Sequence, residues 1–256
     1  MKAVFKLLFA TMLLFPFQLK AQNSIVDVIK LHRANLHYPL SVQRFYQQEG
    51  FKLMWVLTDT AKKPVWNAMM LLDCVLQYGL NPVDYHQREL TYNKLYLAQS
   101  KTANDQVKAS FDVMMTDAII TLVNNLHYGK LNPEFPAKKI DVENITEFKG
   151  DKILTDALQI NNLMCVILDV QPHSEAYINL QRHIMLLTTK YSGSNYVRPE
   201  SDINRIVINM ERLRWINTTG KKIHLTCVVK EGVIIYYKSV YKQDRGKKEV
   251  ISLVQQ

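Results

Sequence analysis

Ile203-Asn204-Arg205-Ile206-Val207-Ile208-Asn209-Met210-Glu211-Arg212-Leu213-Arg214-Trp215-Ile216 is the stretch on which the reading of the chain turns. Ile203, Ile206, Val207, Met210 and Leu213 recur at three- and four-residue intervals, the period of one face of an α-helix. Arg205, Glu211, Arg212 and Arg214 fall toward the wetter side. Such a helix must bury its stripe against other helices, so the residues before it should supply them. After Trp215 only 41 of the 256 residues remain.

Helical periodicity dominates the upstream sequence. Val107, Phe111, Met114, Met115, Ala118, Ile119, Leu122, Val123 and Leu126 form an apolar face of about five turns, with Lys108, Asp112, Thr116, Asn124 and Asn125 on the other side. Gly129 ends that helix, since glycine enters the left-handed conformation without strain. His127 stands beside this terminus, where a partly charged imidazole can meet the last carbonyls. Similar faces run from Trp66 to Leu76, from Ile153 to Leu168, and from Tyr177 to Tyr191. Tyr78-Gly79-Leu80-Asn81-Pro82 and Tyr128-Gly129-Lys130-Leu131-Asn132-Pro133 share one turn chemistry, with glycine stopping a helix and asparagine and proline starting the next. Tyr191-Ser192-Gly193-Ser194-Asn195 is the most linker-like stretch.

The period changes only at the end. Ile223–Val229 and Val233–Val240 are rich in β-branched and aromatic residues, and Lys230-Glu231-Gly232 suits the loop of a hairpin. The expected fold is mainly α: a helical domain over residues 22–216 and a C-terminal β-hairpin within 217–256.

Met1–Ala21 reads as a secretory signal peptide, with Lys2 and Lys6 ahead of the apolar run Leu7–Phe17 and Leu19-Lys20-Ala21 as the cleavage site. Export to the periplasm or cell envelope is the expectation, with no membrane span after cleavage. Loss of Lys2, Lys6 and Lys20 takes the net charge from +9 to +6, of which +5 lies between Asn217 and Gln256. A basic patch outside the cytoplasm points away from nucleic acid and toward carboxylate-bearing peptides or anionic head groups. A solubilising role for the lysine-rich strands is the plainer alternative. Cys74, Cys165 and Cys227 are too few for a disulfide framework; Cys74 and Cys165 fall in apolar runs and suit small core side chains, with a bridge between them left open.

Several motifs resemble one family in order along the chain. Phe45-Tyr46-Gln47-Gln48-Glu49-Gly50-Phe51 with Met54-Trp55 is similar to the opening of the scaffold domain of large L,D-transpeptidases, the envelope enzymes that cross-link peptidoglycan. Gly79-Leu80-Asn81-Pro82-Val83-Asp84-Tyr85 resembles that domain's glycine–proline–tyrosine turn. Asp112 through Thr116-Asp117-Ala118 to Leu126-His127-Tyr128-Gly129-Lys130-Leu131-Asn132-Pro133 resembles its central helix and exit turn. Pro172, Tyr177 and Leu180 match the next element, and the Asn-Met-Glu-Arg-Leu-Arg-Trp helix resembles the one that enters the catalytic domain.

Two departures follow. The family commonly carries a small peptidoglycan-binding domain between the equivalents of Tyr191 and Ile203, where about a dozen residues stand here. The family's chemistry also requires a histidine followed by serine–x–glycine–cysteine–x–arginine, which supplies thiolate attack on a stem-peptide carbonyl. No such motif occurs in the sequence. Cys227 is a poor substitute, with Thr226 where glycine is needed and Val229 where arginine is needed. His224, three residues away, falls on the opposite face of a strand.

The resemblance therefore implies an exported, non-catalytic scaffold protein that binds peptidoglycan or an envelope protein. Transpeptidase activity completed by a partner chain, and an inert truncated remnant, stay open beside it. Arg205, Arg212, Arg214 and Trp215, with Lys221, Lys222, Lys238, Lys242, Lys247 and Lys248, are the candidate binding residues. No cofactor is expected. No metal site is expected either: His32 and His37 are five apart, which aligns no ligands on a helix, and all seven histidines suit core or capping roles.

Overall fold

In the computed structural model the residues described are 24–56, 64–142, 148–190 and 200–219, together with the backbone of 224–230, 233–244 and 247–254. The expected signal peptide and the linker-like stretch from Tyr191 lie outside them. The fold is mainly helical, as expected. A helix over residues 24–32, α1, is followed by α2 (Pro39–Gln48), α3 (Pro64–Asp73), α4 (Tyr92–Gln99), α5 (Asp105–Tyr128), α6 (Ala137–Val142), α7 (Gly150–Gln159), α8 (Leu163–Leu168), α9 (Glu175–Lys190) and α10 (Glu200–Thr219). Two one-turn 3-10 segments, Val75–Tyr78 and Pro82–Asp84, bracket the Gly79 turn. No helix among the described residues is long and apolar enough to cross a membrane.

Two apolar runs break where the sequence suggested continuity. The Trp66–Leu76 run leaves α-helix at Asp73 and tightens into the 3-10 turn. The Ile153–Leu168 run splits into α7 and α8 because Asn161 takes φ +56°, a left-handed conformation that asparagine tolerates. Cys74 and Cys165 are not bridged; Cys165 is exposed and Cys74 half-buried, so neither is the core side chain expected.

The helices form two compact units. The first comprises residues up to Asp73, Pro82–Val123 and Ala137–Asp169. Its centre is α5, in which every residue from Phe111 to Val123 is buried. The expectation of a wet face carrying Asp112, Thr116, Asn124 and Asn125 is therefore wrong, and Val107, placed on the apolar face, is 43% exposed. Polar side chains are buried along α5 because many serve as partners for backbone elsewhere. Asp112 accepts the amide hydrogens of Met54, Trp55 and Val56, and Trp55 Nε1 donates to Thr116 Oγ1 at 2.9 Å. Asp117 accepts from the amides of His37 and Tyr38, at 3.0 and 2.9 Å. On α6, Asp141 accepts from those of Leu40 and Ser41.

These last two carboxylates explain how α2 begins. Tyr38 offers no side-chain cap and Pro39 at the first turn has no amide hydrogen. The orphan amides of the helix start are satisfied by Asp117 and Asp141, side chains about 80 and 100 positions away, whose charge also suits the positive end of the helix dipole. Arg44 closes the same corner, with Nε 2.8 Å from Asp151 and Nη1 donating to the Asp141 carbonyl.

The second unit comprises Cys74–Asn81, Asn124–Pro136 and Val170–Gln256. Its core joins Tyr177 and Ile184 of α9 to Ile206 and Met210 of α10, with Leu180, Leu187, Ile203, Val207 and Leu213 packed around them. All five residues of the stripe read from the sequence lie in this cluster. Gly129 ends α5 at φ +85°, and its Cα leaves no room for a side chain because a Cβ would meet the Trp215 indole at 2.6 Å. Burial lowers the pKa of His127, whose Nδ1 lies 3.3 Å from the Val170 carbonyl.

Beyond α10 only backbone is described. Strands β1 (His224–Lys230), β2 (Val233–Asp244) and β3 (Lys247–Val254) pair antiparallel in the order β1-β2-β3. A closing two-stranded hairpin is not supported, since β2 runs past the expected end at Val240 and pairs a further strand on its other edge. The side chains of Lys238, Lys242, Lys247 and Lys248 lie outside the described residues, as do Lys221 and Lys222 altogether.

Candidate functional site

The residues singled out on the signature helix separate into two groups. Arg214 and Trp215 are not surface residues: they are 0% and 1% exposed. Arg214 donates from Nη2 to the Tyr78 carbonyl and to the Tyr177 hydroxyl at 2.8 Å, and from Nη1 to Glu211 Oε2 at 3.3 Å. Its guanidinium also stands 5.5 Å from the centre of the Tyr177 ring. Glu211 Oε1 accepts from Trp215 Nε1 at 2.9 Å and from the Leu131 amide at 2.8 Å. A buried charge is tolerable only when paired and hydrogen-bonded, and this cluster meets both conditions. It ties α10 to the turns after Tyr78 and Tyr128. Arg214 and Trp215 therefore serve the packing and hydrogen bonding of the fold from buried positions. The apolar period could not reveal this, because it locates the stripe and says nothing about which charged residues flanking the stripe are also covered.

Arg205 and Arg212 remain accessible. Arg205 is largely solvent-exposed and pairs with Asp202 on its own helix at 3.1 Å, a surface contact of little energetic weight. Arg212 is half-buried, its Nη1 donating to Asn209 Oδ1 at 3.3 Å. It borders an open groove of about 440 Å³ that runs between α9 and α10.

Both walls of this groove follow one spacing. Ala176, Asn179, Leu180 and His183 stand at i, i+3, i+4 and i+7 on α9; Asn209, Arg212, Leu213 and Ile216 stand at the same intervals on α10. Leu180, Leu213 and Ile216 make the floor and sides apolar. Asn179, His183, Asn209 and Arg212 add amides, an imidazole and a guanidinium to this mostly apolar lining. An apolar trough with a few convergent polar groups suits a short peptide, and a guanidinium suits a carboxylate on it. Of the eight residues only Arg212 is among the binding candidates read from the sequence. Asn179, His183 and Asn209 were legible as the polar companions of two known stripes, but a single helix period does not say which of its flanks faces another helix.

A family model described as Scaffold domain matches residues 40–184, more than half of the chain. No curated protein and no solved structure matches.

Proposed function

The chain belongs to the Scaffold domain family, and from that premise we propose that it is an exported, non-catalytic, L,D-transpeptidase-like protein that works in the cell envelope by binding. Its ligand is peptidoglycan, held through a carboxylate-bearing stem peptide. The observation that carries this reading is the groove between α9 and α10, with Arg212 and His183 over an apolar floor. Two features of the sequence support it. The ordered motifs from Phe45 to Trp215 resemble the scaffold of the transpeptidases, and the histidine and serine–x–glycine–cysteine–x–arginine motif is missing from the 256 residues. The lysines Lys221, Lys222, Lys238, Lys242, Lys247 and Lys248 add long-range attraction for an anionic polymer, screened by salt.

Co-sedimentation with isolated peptidoglycan tests the proposal. Wild-type protein should pellet with the sacculi, less so as salt is raised, and Arg212→Glu should stay in the supernatant while its thermal unfolding is unchanged. Equal pelleting of wild type and Arg212→Glu would remove the groove from the argument. Incubation with a carbapenem should leave the intact mass unaltered, and an adduct on Cys227 would overturn the non-catalytic reading.

A further inference from the structure

His37, His86 and Asp117 come from three separate parts of the first unit, and each offers one ligand atom within 4.8 Å of the other two. We propose that these residues form a binding site for a first-row divalent cation, with zinc as the ion best matched to two imidazoles and one carboxylate. The fold builds the site from a rigid side and an open side. Asp117 is fully buried in the middle of α5, and its carboxylate is already oriented by the amides of His37 and Tyr38. Outer hydrogen bonds of this kind orient a ligand and set its basicity. His86 sits in the turn after the Pro82–Asp84 segment at φ +50°, a strained conformation of the sort that persists where the surroundings enforce it. That turn aims its Nε2 at Asp117 Oδ2, 2.7 Å away. His37 closes the triangle from the exposed side, its ring tilted 41° to that of His86 with centroids 5.4 Å apart.

The ion would take the place of the hydrogen that His86 Nε2 shares with Asp117 Oδ2. Metal–ligand bonds of about 2.0–2.1 Å in tetrahedral geometry set ligand atoms roughly 3.3 Å apart, so His86 Nε2 and Asp117 Oδ2 would part by about 0.6 Å while the wider spacings, within 4.8 Å, would close, movements that rotation of the two imidazoles provides. Three protein ligands leave a coordination position toward solvent, on the side where His37 is exposed. The competing account is a structural His86–Asp117 hydrogen bond with His37 as a bystander, and the two accounts differ in what His37 does.

The untagged protein, stripped with EDTA, should bind one zinc ion per chain in a titration against a chromogenic chelator. Its Tm should rise with zinc and fall back when EDTA is restored. His37→Ala, at an exposed position, should leave the Tm of the metal-free protein unchanged and weaken zinc binding by at least about tenfold. His86→Gln should weaken it likewise, and His32→Ala, on the same segment but outside the triangle, should bind as wild type. Cobalt in place of zinc should give visible d–d bands that disappear in His37→Ala. Absence of stoichiometric binding, or zinc affinity equal in wild type and His37→Ala, would overturn the proposal.

Discussion

Tyr46 donates its phenolic hydrogen to Asp112 Oδ1 at 2.6 Å, and both side chains are completely buried. Burial raises the pKa of Asp112 to about 6, against the pull of the Tyr46 hydroxyl and three backbone amides that favour the carboxylate. Desolvation wins because removing an ion from water outweighs the hydrogen bonds it collects. The native pKa therefore lies above the value of 3.8 for an ordinary aspartate. The native state holds this proton more tightly than the unfolded chain, so the associated stability is complete below about pH 4 and is lost as pH rises through about 6. The expected loss is about 3 kcal/mol. Urea unfolding between pH 3.5 and 7.5 checks it, and Asp112→Asn should flatten that part of the profile.

Gly129 and Gly50 separate two costs that usually come together. Both have positive φ, but a Cβ at Gly50 meets nothing within 4 Å, whereas at Gly129 it meets Trp215 at 2.6 Å and Glu211 Oε1 at 2.7 Å. Gly50→Ala should lose only the backbone term, about 1–2 kcal/mol. Gly129→Ala adds overpacking against a fixed indole and should lose about 2–4 kcal/mol. Denaturant midpoints of the two variants provide the comparison, and equal shifts would mean that the Trp215 ring yields.

Leu122 and Val107 test the position of α5. Leu122 is fully buried and Val107 is 43% exposed, although both lie on the stripe read from the sequence. Leu122→Ala should cost about 2–5 kcal/mol, with Val107→Ala near neutral. Thermal unfolding of the pair decides whether the helix is enclosed from its second turn onward.

The same helix shows how far the sequence could be read. Its apolar residues, its stop at Gly129 and the stripe of α10 are local properties, encoded in spacing and in the conformational freedom of glycine, and all three appear in the structure. What spacing cannot encode is a second covered face. Asp112 and Thr116 look like a solvent side because polar residues usually are one; here Asp112 accepts from the backbone at Met54–Val56 and Thr116 from the Trp55 indole, while Asp117 accepts from the backbone at His37–Tyr38. His37, His86 and Asp117 meet only through tertiary packing, so no ligand spacing existed to be found. The groove is a middle case: its residues repeat legibly on each helix, but the pairing of the two helices is not written in either.

Arg212 and Arg214, two positions apart on α10, should divide binding from stability. Arg214 is enclosed by Glu211, Tyr177 and the Tyr78 carbonyl, so Arg214→Ala strands an acidic group and a carbonyl without their donor. Breaking a buried pair in this way costs about 3–5 kcal/mol. Arg212 lines the groove and donates from Nη1 to Asn209 Oδ1 at 3.3 Å. Arg212→Ala should therefore unfold within about 0.5 kcal/mol of wild type, as surface substitutions usually do. Its retention on isolated peptidoglycan should nevertheless fall. Arg214→Met, which keeps bulk and removes the charge, should recover little while Glu211 is present, but Glu211→Gln combined with Arg214→Met should recover part of the loss because no ion is then left buried. Unfolding midpoints for the three Arg214 and Glu211 variants, beside sedimentation of Arg212→Ala, separate the two roles. A loss of stability in Arg212→Ala equal to that in Arg214→Ala would place both arginines in the structural cluster and leave the groove without its charged contact.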